Sequence, residues 1–311
     1  MRAGGALAAL TTLLLLAACT PEPVDGQAFP DWDHADALAS ERFDAQLAAL
    51  DAAIDASDPF RSDAQPSITG VSYVHATYGD RDSGQQSVVS LHGNPASVLI
   101  QQTDADPGFT VDTLHVSGED VDYLLLGDGY SSLAPTPWVE VPTVYGHPGE
   151  DPLVAGLRSM CFVDGFQTMC EIRDAITYTA DSAVGGDARR SVDVEPDGTV
   201  FTRTEVTLAA VLVDNSLVHL PQDIVDELSP TMLDTFIPVA LWQDPDGNLV
   251  KMEMNGTVPG TDGAEDLAVQ VGFEVTGAAD PGAFPDLPAT DDVTVIPARG
   301  TEDFYDRMGD L

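Results

Sequence analysis

Three cysteines, Cys19, Cys161 and Cys170, are the side chains best suited to covalent chemistry in this 311-residue sequence. Cys161 and Cys170 lack the C-x-x-C spacing and the neighbouring histidines that a zinc site uses. No G-x-S-x-G, H-E-x-x-H or phosphate-cradling glycine loop occurs, so nucleophile, zinc and nucleotide signatures are missing. The expectation is a non-enzymatic chain with no catalytic residue, no metal ligand and no cofactor. His75, His92 and His115 fall in three neighbouring predicted strands where they could converge, yet half-buried strand histidines are commoner than sites. Carboxylates are too abundant for the sequence to single out a glycosidase-like pair.

Cys19 stands at the end of an apolar run. Arg2 is followed by Ala6 to Ala18, in which only Thr11 and Thr12 interrupt the apolar residues. Crossing a bilayer needs about 20 apolar residues, so the run reads as a signal peptide over residues 1–18 and not as a permanent span. Leu16-Ala17-Ala18-Cys19 resembles the lipobox of bacterial lipoproteins. That resemblance implies cleavage before Cys19, diacylglycerol on its thiol, and a protein anchored on the extracytoplasmic face of the cell membrane. Residues 19–39 are rich in Pro, Asp and Gly and suit a flexible tether, Phe29 and Trp32 excepted. With Cys19 lipidated in an oxidising space, a Cys161 to Cys170 disulfide is expected. Two reduced buried thiols or a metal pair are the alternatives.

The 52 acidic residues against 12 basic ones give a net charge of −40. Such a surface repels nucleic-acid phosphates and anionic lipid headgroups, which excludes nucleic acid as a partner and leaves membrane attachment to the acyl chains. The acidic residues are spread along the chain, as solubility or salt adaptation would have them. Asp244-Pro245-Asp246-Gly247-Asn248 lacks the ligand spacing of an EF-hand loop and reads as a hairpin turn.

The elements follow from periodicity. Phe43, Leu47, Leu50 and Ile54 recur at helical spacing, predicting a helix from Ser40, as its cap, to Ser57. Short runs rich in Val, Ile, Thr and Tyr predict strands over 68–78, 86–92, 97–103, 109–116 and 121–126, with a short piece at 138–141. Asp151-Pro152 opens a helix with Leu153, Leu157 and Met160 on one side. Strands resume over 191–194 and 200–208 around the turn Pro196-Asp197-Gly198, and 220–233 reads as one or two short helices. Val250, Met252 and Met254, then Val269, Val271, Phe273 and Val275, alternate with polar neighbours, so each strand has one dry face. The reading is one α+β domain over residues 40–298, built on a single large antiparallel sheet, with 299–311 as a C-terminal tail.

Asp128-Gly129-Tyr130 leading to Pro137-Trp138-Val139-Glu140-Val141, the hairpin from Ile237 to Met252, and the closing Val269 to Val275 with Pro285, Pro288 and Asp291-Asp292-Val293 resemble the mycobacterial LppX/LprAFG lipoproteins and LolA-like carriers. The Cys161 to Cys170 segment departs from that pattern, and residues 171–195 run long. The resemblance implies a curved half-barrel sheet with helices on its concave face, enclosing an apolar cavity. It implies a carrier or chaperone for a lipid or glycolipid of the cell envelope. Candidate cavity residues are Phe43, Leu47, Leu125, Leu153, Leu157, Val250, Met252, Met254, Val271 and Phe273, each of which plain core packing explains equally well. An interaction or signalling lipoprotein with a closed core and an unidentified protein partner is the second reading. An envelope hydrolase is the third.

Overall fold

The computed structural model describes residues 32–56, 67–93, 96–103, 107–143, 163, 165–213 and 217–311, with side chains of the first helix described at 37–49 and 52. The chain divides into a unit of residues 1–38 and a unit of residues 39–311. Of the first unit, only the opening of helix α1 (Trp32–Ala56) is described. Ser40, expected as the cap, lies inside this helix. Residues 32–39 hold Ala and Leu and no Gly or Pro, so helix propensity carries the element past a single serine. Among the described residues no helix is long and apolar enough to cross a membrane.

The second unit is built on one large, open, curved sheet of twelve strands. The chain enters it in the middle. β1 (Ser67–Tyr78), β2 (Arg81–His92), β3 (Ser97–Thr103), β4 (Val111–His115), β5 (Val121–Leu126) and β6 (Trp138–Pro142) step outward as antiparallel neighbours. Helix α2 (Phe166–Asp181) precedes the far edge, from which β7 (Ser191–Val194), β8 (Val200–Thr207), β9 (Phe236–Gln243), β10 (Leu249–Val258) and β11 (Leu267–Gly277) step back to pair with β1. β12 (Val293–Val295) then joins the first edge, parallel to β6, so the sheet is mixed rather than wholly antiparallel. Short turns join β1 to β2, β7 to β8 and β9 to β10, whereas β8 reaches β9 through residues 208–235 and their short helices. The turn at Asp244 forms as expected, with Gly247 donating its N–H to the Asp244 carbonyl at 2.9 Å.

Strand alternation splits the sheet into two faces. The helix-side face carries Ala76, Val89, Val98, Val206, Val239, Met254 and Val271, all buried. α2 presses Phe166, Met169, Ile172 and Ile176 against it, a stripe at steps of three and four residues. The short helices α3 (Leu208–Val211), α4 (Gln222–Glu227) and α5 (Pro230–Leu233) complete this main core. A smaller core of Val111, Leu124, Leu126, Val139 and Val141 lies under strands β4 to β6. It is closed by Phe304 of α6 (Thr301–Gly309), which is fully buried. The stretch 299–311, expected as a tail, is therefore largely a docked helix. Phe304, Tyr305 and Met308 among charged residues were too sparse a signal to show it.

Candidate ligand groove

The residues expected to line a cavity separate into three groups. Met252, Met254, Val271 and Phe273 have no exposed surface at all. Phe273 is held by its neighbours: its ring lies 5.1 Å from that of Phe166, and a Cβ built on Gly70 or Gly165 would come within 2.5 Å of it. Phe43 and Leu47 border a crevice of about 10 Å³ with Ile176 and Leu241. Gln46, between them, hydrogen-bonds Gln243. Leu125 points to the other face of the sheet, because Leu124 and Leu126 take the helix side. Val250 sits at a register shift, and Leu249 packs on the core in its stead. Leu153 and Leu157, with the helix expected there, lie outside the described residues.

Open space between sheet and helices lies elsewhere. On β2 the helix-side positions Ser83 and Gln85, opposite Ala76 and Val74 of β1, stay exposed although that face is buried on most other strands. Two hollows of about 370 and 460 Å³ meet there, sharing Ala76, Ser83 and His219. Val74, Thr168 and Glu171 border the first, and Tyr78, Leu220 and Ile224 the second. The groove runs along β1 between two polar ties. At one end the Ser72 and Thr168 hydroxyls are 3.4 Å apart. At the other, the Tyr78 hydroxyl donates to Glu227 at 2.7 Å and accepts the N–H of Glu265 at 3.3 Å. The bond to Glu227, more than burial, raises the Tyr78 pKa. Arg81 stacks on the Tyr78 ring at 5.5 Å and pairs with Asp223 at 2.6 Å, which lowers the Asp223 carboxyl. Val74, Ala76, Leu217, Leu220 and Ile224 supply apolar surface, while Ser83, Gln85, Thr168, Glu171 and His219 make the first hollow predominantly polar, a mixture suited to a ligand with both apolar and polar parts. Sequence reasoning missed this site, for Ser83 and Gln85 carry no apolar signal.

The histidines do not converge. His75 lies over Gly84 and His92 pairs beside Ser67, eight positions apart along β2. His115 is on the helix-side face of β4, buried against Asp122. Among the described residues no three His, Cys, Asp or Glu side chains are grouped to hold a metal. Cys170, 3% exposed on α2, is in a disulfide. Cys19 and Cys161 lie outside the described residues.

No family model matches the chain, and no curated protein does. Solved structures similar to it include the lipoprotein LppX of Mycobacterium tuberculosis, 17% identical, covering 78% of this chain and 98% of that one at a TM-score of 0.31. A LolA superfamily protein from Nitrosomonas europaea is 10% identical, covering 76% and 97% at 0.25. A DUF1329 family protein from Desulfovibrio piger is 10% identical, covering 78% and 97% at 0.24. At these values the functional reading rests on the chain's own residues.

Proposed function

We propose that this chain is a lipid-anchored extracytoplasmic protein that holds a lipid or another apolar ligand, as a carrier or chaperone for envelope lipids. The observation that carries the reading is the groove between β1, β2 and α2, whose two hollows meet at Ala76 and Ser83. Each hollow is within the range of about 300–1,000 Å³ typical of ligand pockets. Each methylene buried there contributes about 0.8 kcal/mol. In this reading residues 1–18 are removed, Cys19 carries the anchor, 19–39 form the tether, and Cys161 pairs with Cys170.

The test is native mass spectrometry of the chain purified from a bacterial host, joined to displacement of a fluorescent fatty acid. Cys19→Ala keeps the anchor from competing. Saturable uptake is expected in this protein, and its loss in Ala76→Trp, which fills the groove, with circular dichroism unchanged. A folded sample with neither co-purified lipid nor saturable uptake overturns the proposal. That result would favour the closed-core interaction protein, a reading that the complete burial of Met252, Met254, Val271 and Phe273 supports.

A further inference from the structure

After β11 the chain must travel from the middle of the sheet to its edge, because β11 pairs with β1 whereas β12 pairs with β6. Residues 278–292 make that crossing past β1 to β6, seven strand spacings of about 4.8 Å each, or about 34 Å. A helix of the same length would reach only about 22 Å, so the segment has to be extended. Its sequence holds it so. Pro285 and Pro288 each fix their own φ, and each keeps the residue before it, Phe284 and Leu287, out of the helical region. Phe284 at φ −72°, ψ 124° and Ala289 at φ −64°, ψ 143° bracket the stretch with polyproline II dihedrals.

A strap that only connects two strands has every reason to tuck in its apolar side chains and pair its backbone. This one does neither. Leu287 is 47% exposed, and Pro285, Asp286 and Ala289 are exposed with it. Phe284 and Pro288 are half-buried, the Phe284 ring lying 6.4 Å from that of His92. Among the described residues the backbone of 284–288 makes no hydrogen bond, which leaves its carbonyls open to an outside donor. At three residues per turn, Phe284 and Leu287 share one edge of the strip and Pro285 and Pro288 the next. The dipeptides Phe284-Pro285 and Leu287-Pro288 thus repeat one shape a turn apart. Residues 278–292 hold four Asp, all exposed, and no Lys or Arg.

We propose that Phe284 to Pro288 is a docking strip for a second protein, a domain whose groove is lined by aromatic rings and rimmed by Lys or Arg. A polyproline II strip already has its bound conformation, so little ordering is lost when it docks. Aromatic rings pack on proline and leucine, while a Trp N–H or Tyr O–H donates to the open carbonyls. The four Asp fix the sign of the partner's rim.

The test uses the full chain in the cells that make it, with the photo-crosslinking residue benzoylphenylalanine in place of Leu287 or, as a control, of Val194, which is exposed on β7. A discrete protein adduct is expected from position 287 and not from 194, with the crosslink mapping beside Trp, Tyr or Phe in a basic setting. The captured protein, purified, is then titrated with the full chain carrying Cys19→Ala. Leu287→Ala should weaken binding about tenfold, and Pro288→Ala about threefold by loosening the unbound strip. Asp286→Lys should weaken it by a factor that shrinks as salt rises. Leu311→Ala, exposed outside the strap, should change nothing. Unchanged circular dichroism in each variant keeps a loss of fold from passing for a loss of binding. No adduct specific to position 287, or an affinity indifferent to both Leu287→Ala and Pro288→Ala, overturns the proposal. A partner that crosslinks through an acidic surface without aromatic residues overturns it as well.

Discussion

His115 and Asp122 face each other across β4 and β5, with Nδ1 and Oδ1 2.8 Å apart and both side chains about 5% exposed. Thr143 donates its hydroxyl to the same carboxylate oxygen at 2.8 Å. A buried polar pair of this kind is stable only while complete. Asp122→Ala is expected to cost about 3–5 kcal/mol in urea denaturation, whereas replacing His115 and Asp122 together by apolar residues of similar volume should cost far less. A single substitution costing under about 1 kcal/mol would show that the pair is not what holds this end of the sheet.

Gly165 opens α2 at φ +84°, a conformation that side chains rarely adopt, and a Cβ there would meet the Phe273 ring. Strain and overpacking act together, so Gly165→Ala should destabilise by at least about 2 kcal/mol. The denaturation midpoint reads this directly. A variant as stable as the parent would mean that space remains around Phe273 after all, and would reopen the case for a cavity there.

Tyr73 and Glu253 set opposite limits on pH. Burial, and then its bond to Glu253, raises the Tyr73 pKa far above that of a free phenol. Burial also pushes Glu253 up, but the bonds from Tyr73 and Lys251 outweigh it and hold the carboxyl below its usual range. The stability that Glu253 contributes is therefore present above about pH 4.3 and is lost as pH falls through its lowered pKa. That of Tyr73 is present below about pH 10 and is lost as pH rises through its raised one. In Tyr73→Phe the Glu253 midpoint, followed by carboxyl carbon NMR, should move upward, and the alkaline loss should shrink. An unmoved midpoint would count against the bond.

Reduction should loosen the start of α2 without unfolding the sheet. A ring between Cys161 and Cys170 restrains the unfolded chain by about 2–3 kcal/mol, so reductant is expected to lower the melting temperature by a few degrees. Denatured, unreduced protein should show no free thiol at either position. Two thiols per molecule there would refute the pairing.

Much of the sheet was legible because turn chemistry brackets its strands. β3, β5 and β7 begin and end at the residues the alternation predicts, and Gly198 supplies the positive φ its hairpin turn needs. The dry faces of β10 and β11 were legible too. What covers them was not, since alternation names an apolar face without naming its partner. That partner is α2, whose Thr168, Thr177 and Thr179 weaken the helical signal, and whose buried stripe has meaning only against the sheet. Leu125 illustrates the same gap: in the run Leu124-Leu125-Leu126 no polar residue tells which parity faces the helices.

The two outermost strands, β7 and β12, are only four and three residues long. A sheet of this breadth invites copies of itself to add on at its margins, and a lipid tether would crowd such copies into two dimensions. The margins discourage it: Asp193 and Glu195 place charge at one, and Pro297 removes an N–H donor just past the other. Val194 and Val295, 69% and 60% exposed, are the apolar contacts left there. Edge-to-edge association would then hinge on these two valines, which makes them the positions where a change toward longer, more apolar strands would favour fibre formation.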